Sequence, residues 1–213
     1  MALDPAAIPP TPSTDGQIVA RISRALARLV RAGIPELRAE NAVVFDSPAE
    51  IDSHDENKLS LFLYQIDPNP WLANLPRTLE RGPSGFALRP APMVVDLIYM
   101  MVPYAKSAEI ELVLADKLVR LLHLVPALAG PMLDPVLERA GNHVMDIVPQ
   151  PENPQLMRDL WGGFPGKSYK LTKLYRVTPV RIPGAGPEDV DMVETALLAQ
   201  APPPSAAEEL DHG

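Results

Sequence analysis

Two long apolar runs limit what this chain can fold into. Residues 57–70 read Asn57-Lys-Leu-Ser-Leu-Phe-Leu-Tyr-Gln-Ile-Asp-Pro-Asn-Pro70, and residues 92–104 read Pro92-Met-Val-Val-Asp-Leu-Ile-Tyr-Met-Met-Val-Pro-Tyr104. β-branched, aromatic and long aliphatic side chains suit a pleated strand, and proline closes each run. In the first, Leu59, Leu61 and Leu63 fall on one face and Phe62, Tyr64 and Ile66 on the other. A strand apolar on both faces is covered on both, so this one is expected inside a sheet and not at its rim. The second run behaves alike except for Asp96 in its middle. That carboxylate needs a partner or a place near the sheet edge, because an unpaired buried charge is costly. The stretch from Asn69 to Pro92 permits an antiparallel pair joined by an excursion instead of a tight turn.

The remaining elements follow in order. Residues 1–15 carry four prolines among Ala, Thr and Ser and read as a flexible arm. A helix is predicted from Thr14 or Asp15, with Ile18, Ile22, Ala25, Leu26 and Leu29 on one face and Gly33 and Pro35 as its stop. Its other side carries Arg21, Arg24, Arg28 and Arg31, a basic stripe that is either a solvated face or a docking face for an acidic protein surface. Residues 41–45 suggest a short strand. Residues 71–92, with Gly82-Pro-Ser-Gly85, suggest a projecting excursion with little core of its own.

Residues 106–125 predict a strong helix, capped by Ser107 and apolar over so wide a face that it should lie largely covered on a sheet. A strand over 143–148 and a short helix over 154–161 come next, with Trp161 and Phe164 covering the end of the core. Residues 167–182 predict a long strand bearing Lys167, Lys170, Lys173, Arg176 and Arg181, with a slip of apolar phase after Leu171 that suggests a bulge or a strong twist. Pro179 makes it an edge strand or a strand with a free end. A short helical segment, 189–198, sits in the last stretch. The order is α-β-β-β-α-β-α-β: an α+β domain over 16–183, with a mixed, mostly antiparallel sheet and helices packed against it, between the arm 1–15 and an acidic, mostly flexible tail 184–213.

Charge narrows the function. The formal net charge is −8, yet all 19 basic residues and 18 of the 27 acidic ones fall within 16–183, so the body is close to neutral. Neutrality argues against a nucleic-acid binder, even with the Arg21–Arg31 stripe. There is no cysteine, hence no disulfide framework or thiol chemistry. No signal peptide and no membrane-spanning run is evident, which points to assembly in the cytoplasm without membrane insertion. His54 lies among Asp52, Asp55 and Glu56, but without the spacing that makes a metal site specific. No glycine-rich phosphate loop, nucleophile elbow or zinc motif occurs, so no catalytic residue, cofactor or metal is expected and the chain does not read as an enzyme.

Three segments in succession carry a resemblance: Leu59 to Pro70, then Pro92 to Tyr104 running into a long helix, then Leu160-Trp-Gly-Gly-Phe164 followed by Tyr169 to Ile182. Their order resembles the N-terminal domain of the tail-terminator, or cap, proteins of extracellular contractile injection systems. These are phage-tail-like particles of the antifeeding prophage and Photorhabdus virulence cassette type. The resemblance spans 16–183 and implies a tail-terminator-like fold. It implies a structural protein in a homo-oligomeric ring, a hexamer, at the end of the particle distal to the baseplate. There it would end polymerisation of the inner tube and the sheath and hold the two together, in a particle open to release from the cell. Matching segments place the protein interface on Arg21, Arg24, Arg28 and Arg31 and on Lys167, Lys170, Lys173, Arg176, Val177 and Thr178. The strand 167–182 would be the donor or acceptor that satisfies the last sheath ring's unpaired edge. The competing readings are another tail or baseplate component of the same particle, and a small metal- or ligand-binding enzyme built on the His54 loop.

Overall fold

The structure, a computed structural model, describes residues 17–51, 56–82, 85–184 and 188–190. Its spine is a six-stranded sheet in the order β1-β2-β5-β8-β7-β6, made of β1 (Val43–Val44), β2 (Lys58–Pro68), β5 (Met93–Tyr104), β8 (Lys173–Ile182), β7 (Val144–Pro149) and β6 (Ala127–Ala129). Only the β1–β2 pair is parallel; every other neighbour is antiparallel. A second, three-stranded sheet is formed by β3 (Thr78–Gly82), β4 (Gly85–Arg89) and β9 (Glu188–Val190). The excursion between β2 and β5 is thus a hairpin. Asp189 and Val190, expected to begin a helical segment, belong instead to β9, which pairs with β4. The rest of that segment, 191–198, lies outside the described residues, as do the tail beyond it and the arm 1–15.

β5 explains the layering. Its alternating side chains serve both faces: Val95, Leu97, Tyr99 and Met101 join one core, while Met100, Val102 and Tyr104 join another. The first core is closed by α1 (Ile18–Gly33) through Ile18, Ile22, Leu26 and Val30, and by α2 (Ala108–Leu124) through Leu114, Leu118 and Leu122. α3 (Pro135–Arg139) adds Leu137 to it. The second core is closed by α4 (Pro154–Gly162) through Met157 and Trp161, with Phe164 edge-on to Trp161 at 5.8 Å. Each buried aliphatic side chain contributes about 1.5–3 kcal/mol, so α1 alone supplies a large share of the stabilisation.

The caps follow the sequence. Ser107 Oγ accepts from the Ile110 amide, Asp134 from the amides of Val136 and Leu137, and Asn153 from Leu156. Pro135 and Pro154 sit at first-turn positions where a missing N–H is harmless. Gly33 is where α1 meets α2: a Cβ there would come within 2.4 Å of the Leu121 side chain. α2 departs from expectation. Its outer face keeps Leu112 at 60% and Leu124 at 77% exposure, while only Leu114, Ala115, Leu118 and Leu122 are buried.

The strand over 167–182 is also corrected. It begins only at Lys173, and β8 is bonded to β5 on one side and β7 on the other, so it is an inner strand. The reading of Pro179 as an edge signal failed because the β7 ladder ends at Thr178, one residue earlier. Beyond it the Asn142 side chain takes over: its Oδ1 accepts from Arg181 N at 2.7 Å and its Nδ2 donates to Arg181 O at 2.9 Å. The slip of apolar phase after Leu171 falls before β8 begins; the bulge lies farther on, where Thr178 and Pro179 oppose Asp96 between the pairs Leu97↔Val177 and Val95↔Val180, and the Thr178–Pro179 peptide is cis.

Candidate functional site

The open side of β2 is the part of this architecture that offers most to a partner. β1 covers it only at Leu59 and Ser60. Ser60 Oγ donates to the Asp46 carbonyl at 2.7 Å, and there the covering strand leaves. From Leu61 to Pro68 no other strand pairs with β2 on that side among the described residues. The expectation that this strand lies inside the sheet therefore holds for its first residues alone. Its outer half is a rim, with Ile66 48% exposed. A bulge at Tyr64, between the pairs Leu63↔Tyr99 and Gln65↔Ile98, turns this half of the strand. An unpaired edge of this length is a template for strand addition.

A groove runs beside that edge. It measures about 500 Å³ and lies between the first two turns of α1 and the β2 rim, with Val19, Ala20, Phe45, Leu61 and Leu63 as its apolar wall. Phe45 is 43% exposed there. Arg24 lines the groove and makes no hydrogen bond or ion pair among the described residues. Ser23, also in the wall, is held from behind: its hydroxyl donates to Val19 O at 2.9 Å and so receives the Tyr99 hydroxyl at 2.8 Å. Burial pushes the Tyr99 phenol well above its ordinary value, which keeps it a neutral donor.

The basic residues expected to form the interface are mostly engaged within the chain. Arg21 pairs with Asp134 at 2.8 Å; burial opposes ionisation of that carboxyl, but Arg21 and the amides of Leu137 and Val136 together hold it below the usual range. Arg28 donates to Met132 O, and Arg31 to Glu40 O and Val43 O, so both tie α1 to neighbouring loops. Lys167 donates to Ile51 O at 3.0 Å. Lys170 pairs with Glu111 and lies 5.2 Å from the centre of the Tyr104 ring. Burial, then the Glu111 charge, raises that phenol to about 12. Lys173 pairs with Glu152 at 2.8 Å, and Val177 is wholly buried in the core. Of the ten residues, Arg24 alone faces the groove.

Arg176 and Thr178 belong to a buried knot around Asp96, which thereby finds the partners it needs. Asp96 Oδ1 accepts from the Thr178 hydroxyl and from Asn69 Nδ2 at 2.8 Å, and Oδ2 faces Arg176 at 3.4 Å. Asn69 Oδ1 in turn accepts from the amides of Trp71 and Leu72, fixing the chain as it leaves β2. The knot orders the far end of the open edge.

A second hollow, of about 640 Å³, lies along α4 and is floored by Met157 and Trp161 with Tyr169 at its side. Its Glu152 is held by Lys173 and the Leu174 amide, and its Arg158 by Gln155, so it presents no nucleophile beside a base. Among the described residues no three His, Asp or Glu lie together as a metal site, and no helix is long and apolar enough to cross a membrane. His54, Asp52 and Asp55 lie outside the described residues.

A family model described as the Pvc16 N-terminal domain matches residues 21–195. No curated protein matches the chain. Two solved structures share its fold. One is the PVC sheath/tube terminator of an extracellular contractile injection system, in the extended state: TM-score 0.62, 18% identity, covering 86% of this chain and 64% of that one. The other is the anti-feeding prophage cap, a tube-terminating cap: TM-score 0.55, 16% identity, covering 83% of this chain and 60% of that one. The chain thus spans less than two thirds of the length of either.

Proposed function

The chain belongs to the Pvc16 N-terminal domain family, and from that membership we propose that it is a structural cap of a contractile injection particle. It sits at the end distal to the baseplate, in a ring, and ends the growth of the inner tube and the sheath. Its partners are the tube and sheath proteins and further copies of itself, six to a ring. It performs no catalysis, and the assembled particle functions outside the cell. The fold shared with two terminators supports this reading.

The observation that carries it is the asymmetry of the sheet. One side, β2 from Leu61 to Pro68, is open and flanked by an apolar groove. The other ends in β6, only three residues long and bracketed by Pro126 and Pro131. A terminator needs that combination: it must receive a growing array and offer no onward template. The docking strand is therefore β2, with Arg24 beside it, and not β8, whose Val177 and Thr178 are inside the fold. The test is gold labelling of a tagged chain on purified particles. A single label cluster at the end away from the baseplate is expected. Label along the sheath, or at the baseplate, would refute a cap and favour another tail component.

A further inference from the structure

Arg24 is the one charged side chain in the wall of the groove beside β2, and its height along that edge follows from the contacts of α1. Helix and strand run in opposite directions. Near the end of α1, Arg31 donates to Val43 O, and Val43 is paired with Leu59. Two turns earlier Ser23 meets the Tyr99 hydroxyl, and Tyr99 is paired with Leu63. From Ser23 to Arg31 the helix rises about 12 Å, and from Leu63 to Leu59 the strand extends about 13 Å, so the two stay in step. Arg24, next to Ser23, therefore stands level with Leu63.

We infer that the strand received by this edge comes from a different protein and carries an apolar-x-acid-x-apolar pattern, with its central Asp or Glu paired to Arg24. The inference rests on β2 being the docking edge. Side chains alternate along a strand, so every second residue of an added strand faces α1. On β2 that face is taken by Leu61, Leu63 and, past the bulge at Tyr64, Ile66, which are paired with Met101, Tyr99 and Leu97 of the α1 core. An added residue beside Leu61 meets Phe45, and one beside Ile66 meets its exposed side chain; both are therefore apolar. The residue between them, beside Leu63, meets Arg24.

Charge fixes the acid at the centre. Asp46 follows Phe45 at the near end, and Asp67, held by Gln65 Nε2 at 2.7 Å, flanks the far end. An acid at either end of the added strand would face a like charge, and a lysine at the centre would face Arg24. An apolar centre would cover Arg24, which has no partner among the described residues, and covering an unpaired cation is costly. Arg24 thereby sets the register too. A slip of one residue turns the acid to the other face, and a slip of two carries it toward Asp46 or Asp67.

The pattern also excludes a second copy as the source. Among the described residues the free edges of this chain do not carry it: β6 reads Ala127-Leu-Ala129, β3 reads Thr78-Leu-Glu-Arg-Gly82 and β9 reads Glu188-Asp-Val190. Val94-Val-Asp-Leu-Ile98 in β5 and Val144-Met-Asp-Ile-Val148 in β7 do carry it, but each of those strands lies between two neighbours.

The test uses the free full-length chain and a fluorescein-labelled peptide, Thr-Val-Thr-Asp-Thr-Val-Thr, with Asn and Lys versions at the central position. Fluorescence anisotropy is expected to show the Asp peptide binding roughly fivefold tighter than the Asn peptide. At millimolar concentration it should slow hydrogen exchange over residues 61–66. Arg24 is exposed and makes no bond within the chain, so Arg24→Gln should fold normally and erase the difference between the Asp and Asn peptides. Arg24→Glu should transfer the preference to the Lys peptide. Equal affinities for the Asp and Asn peptides, an Asp preference that survives Arg24→Gln, or unchanged exchange over 61–66 would each overturn the proposal. Concentration-dependent dimers abolished by Phe45→Asp would also overturn it, by giving the edge to a second copy. Failure of the peptide test leaves end labelling of particles as it was found, and failure of end labelling leaves the peptide preference as it was measured.

Discussion

Replacing Asp96 by Ala tests the account of the fold at its most demanding point. Asp96 is 3% exposed in the centre of β5 and receives the Asn69 amide and the Thr178 hydroxyl on one oxygen. A hydrogen bond to a charged group contributes about 1.5–3 kcal/mol, so the two together contribute about 3–6 kcal/mol. Arg176 lies 3.4 Å from the other oxygen, but its side chain is more than one-third exposed and adds at most about 1 kcal/mol. Truncation leaves the Asn69 amide without its acceptor inside the protein, and the knot that holds the turn after β2 loosens. The expected loss is about 3–5 kcal/mol. For a chain of this size that lowers Tm by about 10 °C. Urea unfolding followed by far-ultraviolet circular dichroism gives the free energy directly. Asp96→Asn, which retains one acceptor oxygen, should lose about half as much. Combined with Asn69→Ala, Asp96→Ala should show a coupling of about 1–3 kcal/mol. A loss below about 1 kcal/mol, or strict additivity with Asn69→Ala, would refute the argument that the bulge is held by this carboxylate.

Other substitutions separate surface from scaffold. Val177→Pro should leave no folded protein in gel filtration or circular dichroism, because it breaks an inner strand at a fully buried position. Phe45→Asp and Ile66→Asp, both on the exposed rim, should change stability by no more than about 0.5 kcal/mol yet abolish end labelling of particles. The Asp134 carboxyl titrates below its ordinary 3.8, so the stability it adds is present above pH 4 and lost as pH falls through the lower folded value. Arg21→Leu should shrink that acid-labile part, measured as the difference in unfolding free energy between pH 6 and pH 3. Tyr104 is raised to about 12 and Tyr64, Tyr99 and Tyr175 are raised as well, chiefly by burial. An absorbance titration at 295 nm should therefore find most phenols ionising above pH 10. Stability from Tyr104 is whole below pH 10 and disappears as pH rises through 12.

What the sequence made legible was its strong local patterning. β5 is apolar at nearly every position, and it is buried from Val94 to Tyr104. The cap at Ser107 and the aromatic lid of Trp161 and Phe164 are readable for the same reason: each is local, and each depends on side-chain chemistry within a few residues. The β3–β4 hairpin is short and bears Arg81 and Arg89, without the apolar alternation that announces a strand.

Errors about surface came from partners distant in sequence. The cations around β8 look like a display of charge, yet Lys170 meets Glu111, Lys173 meets Glu152 and Arg176 meets Asp96, across 59, 21 and 80 residues. Pro179 is a sound edge signal in general. Here the neighbouring ladder stops before it, and the side chain of Asn142 replaces the missing strand. The open side of β2 was hidden by its own composition, since Phe62, Tyr64 and Ile66 look like core. A two-residue β1 gives no sign in the sequence of where cover ends. The groove with Arg24 needs α1 and β2 to be placed side by side before it exists.

The central claim is that this chain ends the growth of a tube and sheath, and particle length measures that most directly. Particles are to be prepared from cells with and without the chain and their lengths measured by negative-stain microscopy. With the chain, a narrow length distribution with closed distal ends is predicted; without it, overlong tubes and sheaths or frayed, unstable ends. Identical distributions in the two preparations would contradict the account.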